Sequence, residues 1–459
     1  MNITCIGHHS WIVCNRNLNV YIDPVLKFSF GSTKGLRFPI KPYRDVDHNN
    51  LPKADIVIFT SEHIQHFQPS SLKHLNSDAK IYVSKNFSKP ACDIIKSLGF
   101  DYDRIPVEYP FKYMDMQFCF LGSGTSTFIW DSTVTGLLVT DSYSNDCLYF
   151  QSDTQIKEQL TQLLSELNFP AISTCFLTNN NHAYKEGHIG AFGNLLPLKQ
   201  TQSFHGVRLL NQAVREPLLD FEGFPNVIIS GGGFESPMSM RSTPLWDQKF
   251  LVECISKLSI KQNAFYLEPG NIYDSNKGCI LNERSNWISL SKDFNPKKYN
   301  HSQSVESVSE KQIEKLEAFI DQMVKVLLLS ELGNSMLGVH EYLGKRTNSK
   351  RFIFDFHERQ YEIDLTTASI SRLSEINSSP ERDYPFGIKC TLKDFFNVIS
   401  GEIQFWELAY SSLQQWYLGG PEQSPVAFFY SYFTPRIQPG LFAQCYEREL
   451  RNNCTKLAV

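Results

Sequence analysis

Apolar residues follow two different spacings in the first part of the chain, and the spacings alternate. Short apolar or β-branched runs at 2–6, 11–14, 20–22, 54–60, 80–84, 116–121, 136–140, 147–151, 172–177, 226–230 and 264–267 predict strands. Helical spacing, often preceded by Pro or closed by Gly, predicts helices at 69–75, 90–98, 156–167, 204–219 and 244–258. Strands alternating with helices indicate a layered α/β or αββα domain. We predict that this domain covers residues 1–288, with a long surface loop at 27–52.

The pattern changes after residue 288. Residues 289–312 are rich in Ser, Asn, Lys and Gln and are predicted to be a linker. An amphipathic helix at 310–332, a hairpin of 351–356 with 360–365, and helices at 392–399 and 403–413 predict a smaller C-terminal α+β domain over 313–459. Aromatic residues are dense there. Such residues are more often core than ligand site, although an apolar ligand or a partner surface remains an alternative.

Composition narrows the class of protein. The 459 residues carry a formal net charge of −4, and no long Lys/Arg run is present. We therefore expect no nucleic-acid partner. The 11 cysteines are scattered without a C-x-x-C pair, and the chain starts without a basic, apolar leader. No apolar run reaches the roughly 18 residues of a membrane-spanning helix. We expect a cytoplasmic protein with reduced cysteines and no membrane partner; its oligomeric state stays open.

Candidate metal chemistry follows the strand 54–60. The strand runs into Thr60-Ser-Glu-His63-Ile-Gln-His66, here called the metal loop (residues 60–66). A rigid strand that ends in a loop dense in ligand-type side chains is a common way to build a metal site. Two further strands end on acids, at Asp23 and Asp153. A later strand runs into a loop that holds His182 and His188.

The order of these features resembles the metallo-β-lactamase superfamily. The segment Gly7-His-His-Ser10, the acid Asp23, the metal loop and Asp153 occur in the order found there. The family motif T-H-x-H-x-D-H is matched only in part, because Ser61 and Gln65 replace a histidine and an aspartate. The resemblance implies that Asp153 is the bridging metal ligand and that Asp23 supports the loop. The layout around Phe128-Ile-Trp-Asp131 is similar to the branch with CMP-sialic acid hydroxylase and diiron β-hydroxylases, which use the fold for oxygenation.

The two replacements favour a site for one metal ion. Ser61 is too short and too weak a donor to replace an imidazole, and Gln65 carries no charge to balance a second cation. We predict an iron or zinc site held by four residues: His63, His66, Asp153 and His188. His182 is the other candidate from the later loop, which alternatively is a surface loop that happens to contain histidines.

Other polar residues receive weaker interpretations. Glu62 is a possible substitute donor, but strand alternation favours turning it away, and Asp131 is a weak candidate. His8 and His9 could line a pocket mouth, although buried turn histidines are the commoner explanation. Gly231-Gly-Gly-Phe234 reads as a tight turn rather than an anion nest. G-x-S-x-G is absent, so no serine nucleophile is predicted and the catalytic groups stay unknown.

Two functions remain in competition. The first is a metal-dependent enzyme that acts on a small molecule, as an oxygenase with iron or a hydrolase with zinc. The second is a catalytically inactive protein that binds a ligand or a protein partner through the old cleft. The replacements at Ser61 and Gln65 favour the second function. The retained His63, His66 and Asp153 favour the first.

Overall fold

A computed structural model gives the conformation of most of the chain. It describes residues 1–27, 41–42, 44–124, 133–156, 159–178, 195, 225–231, 234–235, 248–257, 262–291, 307–338, 340–342, 345–347, 350–418 and 424–452. The predicted helix at 204–219 and the candidates Asp131, His182 and His188 lie outside these residues.

Most of the regular elements described within residues 1–291 are strands. In chain order these are Asn2–Gly7 (β1), Ser10–Asn15 (β2), Leu18–Ile22 (β3), Lys41–Pro42 (β4), Arg44–Val46 (β5), Ile56–Phe59 (β6), Lys80–Ser84 (β7), Tyr102–Ile105 (β8), Phe111–Tyr113 (β9), Met116–Gly122 (β10), Thr135–Asp141 (β11), Cys147–Phe150 (β12), Thr174–Thr178 (β13), Asn226–Ser230 (β14), Phe234–Glu235 (β15), Asn263–Tyr266 (β16), Asn271–Asp274 (β17), Cys279–Arg284 (β18) and Ile288–Leu290 (β19). The helices among the described residues of this part are Pro69–Leu72 (α1), Lys89–Ser97 (α2), Leu160–Glu166 (α3) and Gln248–Lys257 (α4).

These strands form two large sheets. The first sheet has the order β18-β17-β1-β2-β3-β6-β7-β8, and the second has the order β16-β14-β13-β12-β11-β10-β9. Strands β3, β6, β7 and β8 are parallel to one another. Strands β12, β13, β14 and β16 are also parallel. Two short ribbons, β15 with β4 and β19 with β5, lie beside the sheets.

The two sheets face each other across an apolar core, and helices cover their outer faces. Residues of both sheets share the inner cluster, where Trp11 meets the ring of Phe176 at a centroid distance of 4.8 Å. A second cluster joins the outer face of the first sheet to α2, and a third joins the outer face of the second sheet to α3 and α4. This layer order confirms the predicted αββα sandwich. Strands covered on both faces are apolar at nearly every position, which is why their sequences read as continuous runs.

The rest of the chain forms an α+β structure, as predicted. Its described elements are Glu310–Leu328 (α5), Glu331–Met336 (α6), His340–Tyr342 (β20), Lys345–Thr347 (β21), Arg351–Asp355 (β22), Gln360–Asp364 (β23), Ser369–Arg372 (β24), the 3₁₀ turn Pro380–Arg382, Phe386–Lys389 (β25), Leu392–Ile399 (α7), Phe405–Ser411 (α8), Gln414–Trp416 (β26), Pro425–Tyr432 (α9) and Pro439–Asn452 (α10). The sheet has the order β24-β23-β22-β25-β26, and a short hairpin, β20 with β21, precedes it.

Several local predictions need correction. Strands β8, β9, β17 and β18 were not predicted, and the predicted loop at 27–52 contains β4 and β5. The predicted helix 310–332 is two helices, α5 and α6, and the predicted linker begins inside β19, which pairs with β5. The domain division itself stays a prediction, and α10 packs on α1 and α2 across it. Among the helices of the described ranges, none is both long and apolar enough to cross a membrane.

Candidate metal centre

The polar strand ends gather at one end of the sandwich. Strands β1, β3 and β6 of the first sheet and β12, β13 and β14 of the second end there. Thr60 ties the two sheets together at this end, since its carbonyl oxygen accepts a bond of 2.9 Å from the backbone N–H of Thr135. Its hydroxyl also lies 2.8 Å from the Ser152 hydroxyl. Because the carboxyl ends of parallel strands share one edge of a sheet, the loops that follow them converge.

His66 occupies the centre of this end, completely buried between two carboxylates. Its Nδ1 lies 2.7 Å from Asp23 Oδ2, and its Nε2 lies 2.8 Å from Asp153 Oδ2. Burial acts to lower the pKa of His66, but Asp153 and Asp23 outweigh burial and raise this pKa to about 10. In the metal-free protein His66 therefore carries a proton on each ring nitrogen and donates to both acids.

Asp23 fixes the orientation of this imidazole. Its backbone is left-handed, with φ of 46°, and its Oδ1 accepts a bond of 2.7 Å from the backbone N–H of Thr60. A histidine whose far nitrogen is held by a carboxylate is oriented and made more basic for metal binding. The observed contacts of Asp23 are with Thr60 and His66; the metal-supporting role that the resemblance implies for it stays a prediction.

Asp153 is the anionic group of the cluster. Its Oδ2 also accepts a bond of 2.9 Å from the Gln65 amide, and its Oδ1 lies 3.3 Å from His9 Nε2. Burial acts to raise the pKa of Asp153, but His66 and His9 hold it well below the usual range. The carboxylate is therefore ionised, and it is hydrogen-bonded by residues of the metal loop and by His9, which lies between β1 and β2.

His8 and His9 complete the cluster from the turn between β1 and β2. The two rings lie 4.4 Å apart, and the His9 ring stacks on His66 at 5.1 Å. His8 Nδ1 lies 2.8 Å from the carbonyl oxygen of Gly231, a contact that favours the tautomer with the proton on Nδ1. Burial is the main cause that lowers the pKa of both histidines, so both are neutral, the form that binds metals.

The donor set suits a metal ion. Ligand atoms of His8, His9 and His66 all lie within 4.8 Å of one another, so this cluster could hold one. Two donors that bind one zinc or iron ion lie about 3.0 to 3.4 Å apart, given bonds of about 2.1 Å and ordinary angles. The separations of Asp153 from His66 and from His9, 2.8 Å and 3.3 Å, are close to that range. Imidazoles with one carboxylate are ligands that both iron and zinc accept.

The structure therefore brings together two of the four predicted ligands, His66 and Asp153. His63 lies on the same loop and is half-buried, and its backbone N–H donates to the Ser61 hydroxyl at 3.1 Å. It is not one of the three histidines whose ligand atoms converge in the described chain. Its part in the ligand set, like that of His188, stays a prediction.

Glu62 turns away from the cluster, as strand alternation suggested. Its carboxylate accepts a hydrogen bond from the Ser88 hydroxyl at 2.5 Å, and the Tyr446 hydroxyl lies 3.4 Å from the same oxygen. Burial raises the pKa of Glu62 to about 7. Glu62 therefore belongs to the outer layer of the sandwich and does not replace a lost ligand.

His8 and His9 are buried in the turn after β1, which agrees with the commoner explanation of turn histidines. They nevertheless lie in the cluster with His66, which the sequence did not predict. The sequence does carry a signal for them, because they follow the end of β1 directly, as the metal loop follows the end of β6.

Comparison with known proteins gives likenesses of fold only. No family model matches the chain, and neither does any curated protein sequence. The isothiocyanate hydrolase from Delia radicum gut bacteria aligns at 15% identity over 60% of this chain and 98% of that one, with a TM-score of 0.40. The diiron β-hydroxylase CmlA from Streptomyces venezuelae aligns at 15% identity over 58% of this chain and 53% of that one, with a TM-score of 0.37. The metallo-beta-lactamase fold protein YhfI from Bacillus subtilis aligns at 11% identity over 60% and 99%, with a TM-score of 0.35.

Proposed function

We propose that this protein is a metal-dependent enzyme that acts on a small molecule at a mononuclear site. His8, His9, His66 and Asp153 would hold the ion. The proposal rests on one observation, the convergence of three buried histidine ligand atoms within 4.8 Å. A buried histidine cluster beside a carboxylate is costly to keep unless its groups are paired or ligate a metal.

The residues around the ion have distinct parts in this proposal. The bound metal would supply a Lewis acid and an activated water for hydrolysis, or a site for dioxygen if the metal is iron. Asp23 orients His66, and the Gly231 carbonyl oxygen selects the His8 tautomer. As a ligand, His66 would have to lose to solvent the proton on Nε2, the nitrogen that now faces Asp153, and Asp153 would balance the charge of the cation.

The metal itself separates the two reaction classes. Iron in the purified protein favours the oxygenase, and zinc favours the hydrolase. Consumption of dioxygen by iron-loaded protein in the presence of candidate substrates would support the first class. Hydrolysis by zinc-loaded protein without dioxygen would support the second.

One contact favours the alternative function, an inactive protein that binds through the old cleft. Gln65 donates to Asp153 at 2.9 Å, where the family motif carries an aspartate. Together with His66 and His9, this amide gives both Asp153 oxygens hydrogen-bond partners. A network of this kind can be a structural element in its own right.

Metal analysis tests the proposal. Wild-type protein, His8→Gln and His9→Gln are loaded with iron or zinc, dialysed and measured by mass spectrometry, with His63→Gln as the matched control on the metal loop. We expect about one ion per chain in the wild type. We expect its loss in the His8 and His9 variants and its retention in His63→Gln. Melting curves confirm that each variant is folded.

Two results would contradict the proposed site. A folded wild type that retains neither iron nor zinc refutes the metal-dependent enzyme and favours the inactive protein. Loss of the ion in His63→Gln, with retention in His8→Gln and His9→Gln, returns the site to the ligand set predicted from sequence.

A further inference from the structure

The C-terminal helix α10 lies against the helices that follow the metal loop. Its side chains Phe442 and Tyr446 belong to the same buried apolar cluster as Phe67 and Leu72. Phe67 is the residue directly after His66. A segment more than 370 residues away in sequence therefore forms part of the surroundings of the metal loop.

Glu449 makes two hydrogen bonds to α1. Its Oε2 accepts a bond of 2.9 Å from the backbone N–H of Ser70, and its Oε1 accepts one from the Ser70 hydroxyl. Bonds to an ionised carboxylate are roughly twice as strong as neutral ones. Lys73 adds a further link, because its ammonium group donates to the carbonyl oxygen of Leu450 at 3.0 Å.

Tyr446 contacts the metal loop itself. Its ring meets the Phe67 ring edge to face, at a centroid distance of 5.5 Å and an interplanar angle of 84°. Its hydroxyl lies 3.4 Å from both the backbone oxygen and the carboxylate of Glu62. The loop is thus touched at residue 62 and immediately after residue 66, on both sides of its histidines.

A second element of the C-terminal part reaches the same loop. Trp406, from α8, packs on a small apolar cluster of Val25 and Ile64. Ile64 lies between His63 and His66, and Val25 follows Asp23 by two residues. Trp406 therefore packs beside the metal loop and beside the segment that follows Asp23.

We infer that Tyr446 and Glu449, together called the C-terminal clamp, are positioning residues that hold the metal loop so that His66 can ligate the ion. The inference rests on the proposed function. Residues 60–66 form neither strand nor helix. The contacts from α10 therefore add to the backbone bonds that the N–H groups of His66 and Phe67 donate to the carbonyl oxygen of His63. Metal sites need their ligands held to within about 0.5 Å, which a loop alone seldom achieves.

Variants on one helix test the clamp. Glu449→Gln removes the charge that holds Ser70, and Tyr446→Phe removes the hydroxyl but keeps the ring. Glu447→Gln is the matched control, since Glu447 is an exposed residue of α10 paired only with Arg451 at 2.8 Å among the described residues. The full-length protein is used throughout. Zinc dissociation constants come from competition with a chromophoric chelator, and hydrogen exchange is measured on peptides covering residues 60–72.

We expect the two clamp variants to differ from the wild type in zinc affinity and hydrogen exchange, and the control variant to match it. Glu449→Gln should raise the zinc dissociation constant about tenfold, as removal of supporting contacts does at other metal sites. It should also speed exchange in the peptides over 60–72, in metal-free protein as well. Tyr446→Phe should change both quantities in the same direction, and Glu447→Gln should change neither.

The contrary results are separable. A lower melting temperature for Glu449→Gln with unchanged zinc affinity makes the contact merely structural and overturns the clamp alone. Unchanged exchange over residues 60–72 also overturns the clamp, whether or not zinc binds. A wild type that binds no zinc or iron overturns the proposed function, and the role of the clamp in metal binding with it.

Discussion

Replacing Glu62 by glutamine should make the protein more stable at neutral and alkaline pH and leave it unchanged in mild acid. Glu62 is buried, and its burial raises the pKa of the carboxyl from 4.5 to about 7. Between those values the folded protein keeps a proton that the unfolded chain has released. The free energy of unfolding therefore falls as the pH rises from 4.5 through about 7, and the loss is complete above the folded pKa.

The size of the effect follows from the shift. One pKa unit corresponds to about 1.4 kcal/mol, so the shift of Glu62 corresponds to roughly 3 kcal/mol. Glutamine has nearly the same shape and keeps an oxygen that can accept from the Ser88 hydroxyl. Because glutamine never ionises, the variant avoids the cost of a buried charge at high pH.

Urea unfolding at two pH values measures this difference. The free energies of unfolding of wild type and Glu62→Gln are compared at about pH 5 and about pH 8. Linkage requires the difference between the two proteins to be larger at the higher pH. Glu283→Gln, which changes an exposed carboxyl, is the control and should show the same gap at both. A gap between wild type and Glu62→Gln that does not widen toward pH 8 would refute the reasoning.

Three further substitutions have defined outcomes. Asp23→Asn should cost about 3 to 5 kcal/mol of unfolding free energy, because a buried ion pair loses one partner. It should also weaken zinc binding at least about tenfold in chelator competition, and unchanged affinity would contradict its supporting role. Gln65→Asp places a second carboxylate where the amide now donates to Asp153 at 2.9 Å. Two neighbouring carboxylates favour a bound cation, so zinc should raise the melting temperature more in this variant than in the wild type. A smaller rise would count against the proposed site. Gly387→Ala would bring a Cβ to 2.3 Å from Trp416 Cζ2 and should cost about 1 to 3 kcal/mol in thermal unfolding, whereas an unchanged melting temperature would mean that the core yields.

Many buried strands and helices could be predicted because burial requires apolar residues at regular spacing within each segment. Strand β7 was predicted at its observed bounds, and so was helix α7, whose first turn is capped by Thr391. Strands β8 and β18 were missed because they lie at the edges of the first sheet, where several side chains are exposed. Exposed positions tolerate polar residues, so their sequences lose the apolar run on which the prediction depends.

Spacing within short segments predicted the layered α/β domain and the metal loop, and the family resemblance added Asp153 as a partner of His66. The order of strands in the folded sheets brings His8 and His9 to that pair and turns Glu62 away from it. The His8 turn meets Gly231 across 223 positions, and Glu62 meets Tyr446 across 384. Contacts between residues so far apart in sequence depend on the order of strands in the sheets and on the packing of α10 against α1 and α2. The spacing of apolar residues within one segment does not predict either of them.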